Sequence, residues 1–335
     1  MGAMIRLMSV LLTVLVLCGC ARRGIAPLGA EKPVTQPVDP NTEKAFDQVA
    51  AEIAPPPARP PATGPAAPPP LQAIELYARA RDALHRRDDF SAVDLLERAL
   101  TFDPQSAELH YALGRAYLQR GGSTDRAAQL LEQAAELNPD SFDAWLDLAR
   151  LYLRSTPARA MRPLILATRC PDFEARDADA AVVEFHLARL LQQAGYDRAA
   201  CEQYESFLRR LGRRAATRTN ADLAALAAHP EPVQMELARL YEKRRQFDRA
   251  IAMYERLAAG APDAFEPRAR VVRALLAAGR MQQAMQQAGD LVRQFRASPA
   301  SVDLLLEAYR RAGDESRAVA ELTRLHRKDP DDRSL

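Results

Sequence analysis

Arginine supplies almost all of the positive charge in this chain: of 46 basic residues, only Lys32, Lys44, Lys243 and Lys328 are lysine. Five of the arginines share a local setting. Arg115, Arg150, Arg189, Arg239 and Arg273 each follow a leucine or valine and then a small or apolar residue, as in Leu148-Ala149-Arg150 and Leu237-Ala238-Arg239. A guanidinium is a planar fork that matches a carboxylate bidentately. A row of them suits an extended acidic segment or a terminal carboxylate. Tyr111, Phe185 and Met235, with Leu146, Arg154, Lys243 and Leu276, occupy neighbouring positions and would add apolar and basic surface. The first and last members of the row are Asp82 and Glu307. Two other readings stand beside this one. A GC-rich coding sequence favours arginine by itself, and Glu108, Asp143, Asp147, Glu184, Glu236 and Glu242 could neutralise the row from within.

The other reactive side chains form no constellation. His85, His110, His186, His229 and His326 are scattered, with no metal-ligand spacing and no nucleophile beside a base. No glycine-rich phosphate loop occurs. Cys170 and Cys201 sit too far apart along the expected helices for a disulfide and read as small buried residues. The sequence thus points to no catalytic residue, no metal and no cofactor, and not to an enzyme. A hydrolase built on His186 and a nearby carboxylate is the weakest alternative. A net charge of only +2 does not suggest nucleic acid.

The arginines lie in a repeating frame. Leu237, Ala238 and Tyr241 make an apolar helical stripe. Arg245-Gln246-Phe247-Asp248 makes a turn, Ala250, Tyr254 and Leu257 make a second stripe, and Pro262 closes the unit. Small residues at Ala238 and Ala250 let two helices approach, and the bulky residues fill the seam. The same offsets recur at Leu113, Gly114, Tyr117, Ala127, Leu131, Ala134 and Pro139, and at Leu305, Tyr309, Gly313, Ala318, Leu322, Leu325 and Pro330. The period is about 34 residues.

This pattern resembles the tetratricopeptide repeat family, over Leu71 to about Pro330. The resemblance implies an all-α, right-handed superhelical solenoid of about seven helical hairpins, with first helices lining a concave groove that binds extended peptides. Three departures are visible. Pro163 falls inside the second helix of the third unit and should kink or shorten it. Phe207 stands where the family prefers alanine. Residues 209–232 are too long for an ordinary turn. This insertion opens with Arg209, Arg210, Arg213, Arg214 and Arg218 and then reads as a short helix over Ala221–Ala228. It is a solvated loop, a lid or a contact for an anionic polymer.

The amino-terminus reads as a separate part. Arg6 precedes an apolar run from Leu7 to Leu17, too short to span a bilayer but suited to a signal peptide over 1–19. Leu17-Cys18-Gly19-Cys20 resembles the lipobox of bacterial lipoproteins. That resemblance implies lipidation at Cys20, including palmitate, and anchoring in the outer membrane facing the periplasm, since Ala21 rather than aspartate follows. An ordinary secretory signal is the alternative. Residues 20–70 hold thirteen of the 24 prolines and read as a disordered linker. Thr42 to Ala54 within it is either a short amphipathic helix or a solvated coil.

The expected organisation is a lipidated anchor, a linker and a solenoid over 71–332. The expected function is a membrane-anchored scaffold that docks protein partners, in assembly of an envelope machine such as a secretion, pilus or polysaccharide-export complex. Binding of an anionic polysaccharide or peptidoglycan is the runner-up.

Overall fold

The computed structural model describes residues 41–55, 68–121, 124–213, 221–295 and 298–328, all within one compact unit. The segment read as signal peptide, Cys20, most of the linker, Arg214, Arg218 and Pro330 lie outside the described residues. Described residues are helical or turn, with no strand among them. In chain order the helices are α1 Phe46–Ile53, α2 Leu71–His85, α3 Asp89–Phe102, α4 Ala107–Arg120, α5 Thr124–Leu137, α6 Phe142–Ser155, α7 Met161–Ala167 and α8 Asp177–Gln193. They continue as α9 Asp197–Leu211, α10 Ala221–Ala228, α11 Glu231–Lys243, α12 Phe247–Gly260, α13 Phe265–Ala277, α14 Met281–Gln294, α15 Pro299–Arg311 and α16 Glu315–Lys328.

Seven hairpins stack in sequence: α2/α3, α4/α5, α6/α7, α8/α9, α11/α12, α13/α14 and α15/α16. The repeated small and large residues make the seam. Ala238, Ala250 and Tyr254 are fully buried, with Leu237, Tyr241 and Leu257 almost so. Gly114 takes the place of Ala238 in the second hairpin for a steric reason. A Cβ there would meet Leu131 Cγ at 3.0 Å and the Ala127 carbonyl at 3.4 Å.

Five hairpins close their first helix in one way. The backbone N–H of Asp88, Tyr196, Gln246, Arg280 and Asp314 donates to the carbonyl five residues earlier, at 2.9, 2.9, 2.8, 2.9 and 3.0 Å. The preceding residue is left-handed, as a Schellman cap requires. Gly195, Gly279 and Gly313 fill that position with φ of 84, 75 and 73°, but Arg87 and Arg245 adopt it at 60 and 58°.

The third hairpin is short on its second side. Helix α7 has only 7 residues where α3, α5, α12 and α14 have 14. A 3₁₀ turn over Pro157–Ala160 precedes it, and Pro163 sits within it. The ring cannot donate a backbone hydrogen bond. Phe207 is accommodated by complete burial against Phe185, ring centroids 5.2 Å apart.

Two readings of the chain are corrected here. First, residues 41–55 are not disordered linker. Helix α1 packs on α7 and α9, with Val49 and Ala54 fully buried and Ala50 nearly so. It sits beside the truncated α7, whose missing turns leave apolar surface to be covered. Second, the insertion does not begin as a loop at Arg209. Helix α9 continues to Leu211, and the Arg210 side chain is 5% exposed, held by Glu184 at 2.8 Å, Asp177 at 3.1 Å and Glu174 at 2.8 Å. Arg213 also pairs with Asp177, at 3.1 Å. Helix α10 packs on α8 and α9, and its Leu223 is buried in the core.

Candidate protein-docking groove

Successive first helices touch one another through polar side chains. The Tyr77 hydroxyl donates to Glu108 at 2.8 Å, and that of Tyr111 to Asp147 at 2.9 Å. Arg150 donates to Asp179 at 3.0 Å, and Gln192 to Glu236 at 3.3 Å. The row therefore lies on one continuous face built from α2, α4, α6, α8 and α11.

The five arginines expected to form a ladder differ in what they meet. Arg150 is fully committed, bridging Asp147 at 3.4 Å and Asp179 at 3.0 Å. Arg115 reaches Asp147 at 3.6 Å and lies 5.6 Å from the Tyr111 ring centre. Arg239 pairs with Glu236 on its own helix at 2.7 Å, and Arg273 lies 4.0 Å from Glu266. Arg189 differs: it lies 5.7 Å from the Phe185 ring centre, and no carboxylate pairs with it among the described residues. Internal neutralisation is real but partial.

Several neighbouring assignments change. Leu146 and Leu276 are 2% and 4% exposed and belong to the core rather than the groove. Phe185, Tyr111 and Met235 are half-buried, with apolar surface still open. Lys243 is drawn to Asp197 at 2.7 Å. Of the carboxylates expected to neutralise the row, Asp147 and Glu236 do so. Asp143 pairs with Arg176, Glu184 with Arg210, and Glu108 and Glu242 accept from Tyr77 and Tyr254. The first hairpin is read one residue out of register at Asp82, which pairs with Arg86. Arg81, four residues after Tyr77, stands where Arg115 stands after Tyr111. The spacing aromatic, three residues, arginine recurs at Phe185 and Arg189, and it is the signal that identifies Arg81 in the sequence.

Two adjoining cavities open on this face and share Arg115 and Gln119. One, of about 530 Å³, lies between α4 and α6 and includes Asp147, Arg150 and Arg154. The other, of about 190 Å³, lies between α2 and α4 and includes Tyr77, Arg81 and Tyr111. Four guanidiniums and one carboxylate thus line a common trough. Arg154 and Arg81 have no carboxylate partner among the described residues. Such a surface attracts carboxylates and offers each a charge-assisted contact, with Leu118 and the tyrosine rings providing apolar area between them.

His186 lies beside this row and is kept neutral. Burial first, and then Arg189 and Arg150, pull its pKa down to about 4. Burial pushes the Cys170 thiol up to about 12 and the Cys201 thiol up to about 11, the latter against the opposing pull of Arg244. Both thiols are free and buried. Among the described residues there is no metal-binding group of His, Cys, Asp and Glu, and no helix long and apolar enough to cross a membrane.

Stacked hairpins with an open polar trough along their first helices are the build of a solenoid scaffold. Family comparison agrees. Residues 122–155 match a tetratricopeptide-repeat model, and residues 235–268 match another. The chain contains tetratricopeptide repeats at these two places.

Solved structures similar to it include a tetratricopeptide repeat protein from Parabacteroides merdae, at 15% identity, covering 76% of this chain and 92% of that one, TM-score 0.39. PilF of Pseudomonas aeruginosa is 18% identical, covering 70% of this chain and 97% of that one, TM-score 0.35. MamA is 17% identical, covering 54% of this chain and 92% of that one, TM-score 0.37. No curated protein matches the chain.

Proposed function

We propose that this repeat array is a docking scaffold that holds an extended acidic segment of a protein partner along its first helices. The observation that carries the reading is the trough shared by α2, α4 and α6, with four guanidiniums against one lining carboxylate. Arg81, Arg154 and Arg189 are the arginines available to a ligand without breaking an internal ion pair. Tyr77, Tyr111 and Phe185 alternate with them, which favours a peptide with apolar side chains between its carboxylates over a uniformly charged glycan. Pairing of Arg210 and Arg213 to Asp177 also removes charge from the insertion as a glycan contact.

The scaffold is further proposed to be a lipoprotein of the bacterial envelope, attached to the outer membrane through Cys20 and facing the periplasm. Support comes from the apolar run Leu7 to Leu17 and the box Leu17-Cys18-Gly19-Cys20. In this reading it assists assembly of an envelope complex. The test is crosslinking in cells from a photoreactive residue at Gln119, followed by mass spectrometry. Captured proteins should carry acidic extended segments, and capture should survive added anionic glycan. Loss of capture to the glycan would favour the polysaccharide reading. Metabolic labelling with a palmitate analogue should mark the wild type and not Cys20→Ser.

A further inference from the structure

The array carries a second binding surface, away from the first-helix trough, on the second helices α7 and α9. In this structure it is filled by residues 42–54 of the same chain. Phe46, Val49, Ala50, Ile53 and Ala54 fall at i, i+3, i+4, i+7 and i+8, one face of a helix. That face is the buried one: Val49, Ala50 and Ala54 are 0%, 3% and 0% exposed, while Asp47, Gln48, Ala51 and Glu52 point outward. The segment joins the main core, whose other members lie from α5 onward, and skips the separate cluster formed by the first hairpins.

Polar contacts fix its position and register. The Arg198 backbone N–H donates to the Thr42 carbonyl at 2.9 Å, and the Phe46 N–H donates to the Glu202 carboxylate at 2.8 Å. Arg244 grips Glu43 bidentately at 3.2 and 2.8 Å, with its own side chain 8% exposed. At the far end Arg169 donates to the Ala54 carbonyl. The receiving surface thus provides a cation for an acidic side chain before the helix, an apolar floor for one helical face, and a donor for the last carbonyl. These are the parts of a helix-in-groove peptide site.

We propose that the α7–α9 surface is a peptide-binding site whose ligand is the chain's own segment 42–54, a detachable strap rather than a permanent piece of the core. The segment is only 8 residues long as a helix, too short to hold its shape unaided. The array it binds already has seven hairpins of its own. A strap of this kind ties residues 42–54 to the middle of the array. This inference does not depend on what the first-helix trough binds.

The test uses the full chain with a specific protease site placed between residues 56 and 67. After cleavage the amino-terminal piece should co-elute with the array, and synthetic peptide 41–55 added in excess should displace it. Peptides carrying Val49→Glu or Glu43→Arg should displace at least about tenfold less well, and because the changes lie in the competitor the array itself is unaltered. Immediate loss of the piece on cleavage would overturn the proposal. So would retention against excess wild-type peptide, or equal displacement by the variant peptides.

Discussion

The Tyr241 hydroxyl donates to Glu205 at 2.8 Å, across the boundary between the fourth and fifth hairpins. Arg249 donates to the same oxygen at 2.9 Å and lies 4.3 Å from the Tyr241 ring centre. The same three residue types recur two boundaries earlier in the stack, between the second and third hairpins, where Tyr152 donates to Glu132, and Arg159 pairs with Glu132 at 3.2 Å and lies 4.3 Å from the ring centre. Tyr117, Glu97 and Arg120 form a looser version, with the hydroxyl at 2.6 Å and the guanidinium 4.8 Å from the ring centre. The last residue of the Leu-Ala-Arg-Leu-Tyr signature is therefore more than a filler. At these three boundaries it clamps a hairpin to the one before.

Removing one clamp hydroxyl should cost about 1 kcal/mol, the usual worth of a hydrogen bond to a charged acceptor less the retained arginine pair. Tyr241→Phe is expected to lower the urea midpoint and to raise amide exchange in α11. Tyr309→Phe is the control, since no carboxylate accepts from Tyr309 among the described residues. An equal effect from both variants would deny the clamp.

Arg210→Ala should be the most damaging single change to stability, at about 3–5 kcal/mol. Glu184 is 3% exposed and has one oxygen without a hydrogen-bond partner even with Arg210 in place. Burial already pushes its carboxyl above the ordinary range. Without the guanidinium, a buried charge is left with only Ser206, at 2.7 Å. Thermal unfolding followed by circular dichroism measures this. A shift no larger than that of Arg213→Ala would contradict it.

Arg245→Gly should stabilise the fifth hairpin. The left-handed backbone costs a non-glycine residue about 1 kcal/mol or more, offset in part by glycine's greater freedom when unfolded. Arg245 is exposed and caps α11 where three other hairpins use glycine. A rise of a few degrees in Tm is expected, and a fall would show that its side chain matters.

Strap docking should weaken in acid. The Arg244 hydrogen bond to Glu43 holds that carboxyl below its ordinary value near 4.5 when docked. The contribution is therefore complete above about that pH and is lost as pH falls through the lower, docked value. Hydrogen exchange of Val49 and Ala50, corrected for the intrinsic rate, should show protection declining below pH 4.5 and flat above it. Glu43→Gln should remove the dependence.

Much of the fold was legible in the residues because a hairpin is local. Leu237, Ala238, Tyr241 and Ala250 fall within a few turns of one another, and Pro163 acts on its own helix. The strap was not legible as docked. Phe46 and Glu43 find their partners 156 and 201 residues away, and no local period encodes that choice. The register error at Asp82 arose because the first hairpin lacks the Leu-Ala pair, and only the tyrosine four residues before Arg81 marks the position. Among the ladder arginines, type and spacing were readable, but whether a carboxylate already held each one depended on contacts between neighbouring hairpins.

The central claim is that the first-helix trough takes acidic extended peptide through arginines free of internal partners. Arg81→Glu with Arg154→Glu tests it most directly, since both line the trough and neither braces a neighbouring helix through an ion pair among the described residues. Binding of a short labelled peptide of alternating glutamate and leucine would be followed by fluorescence anisotropy at low and moderate salt. The account predicts at least about a tenfold loss of affinity from removing two charge-assisted contacts, with unchanged helicity and a weaker salt dependence. Wild-type affinity in the double variant would contradict it.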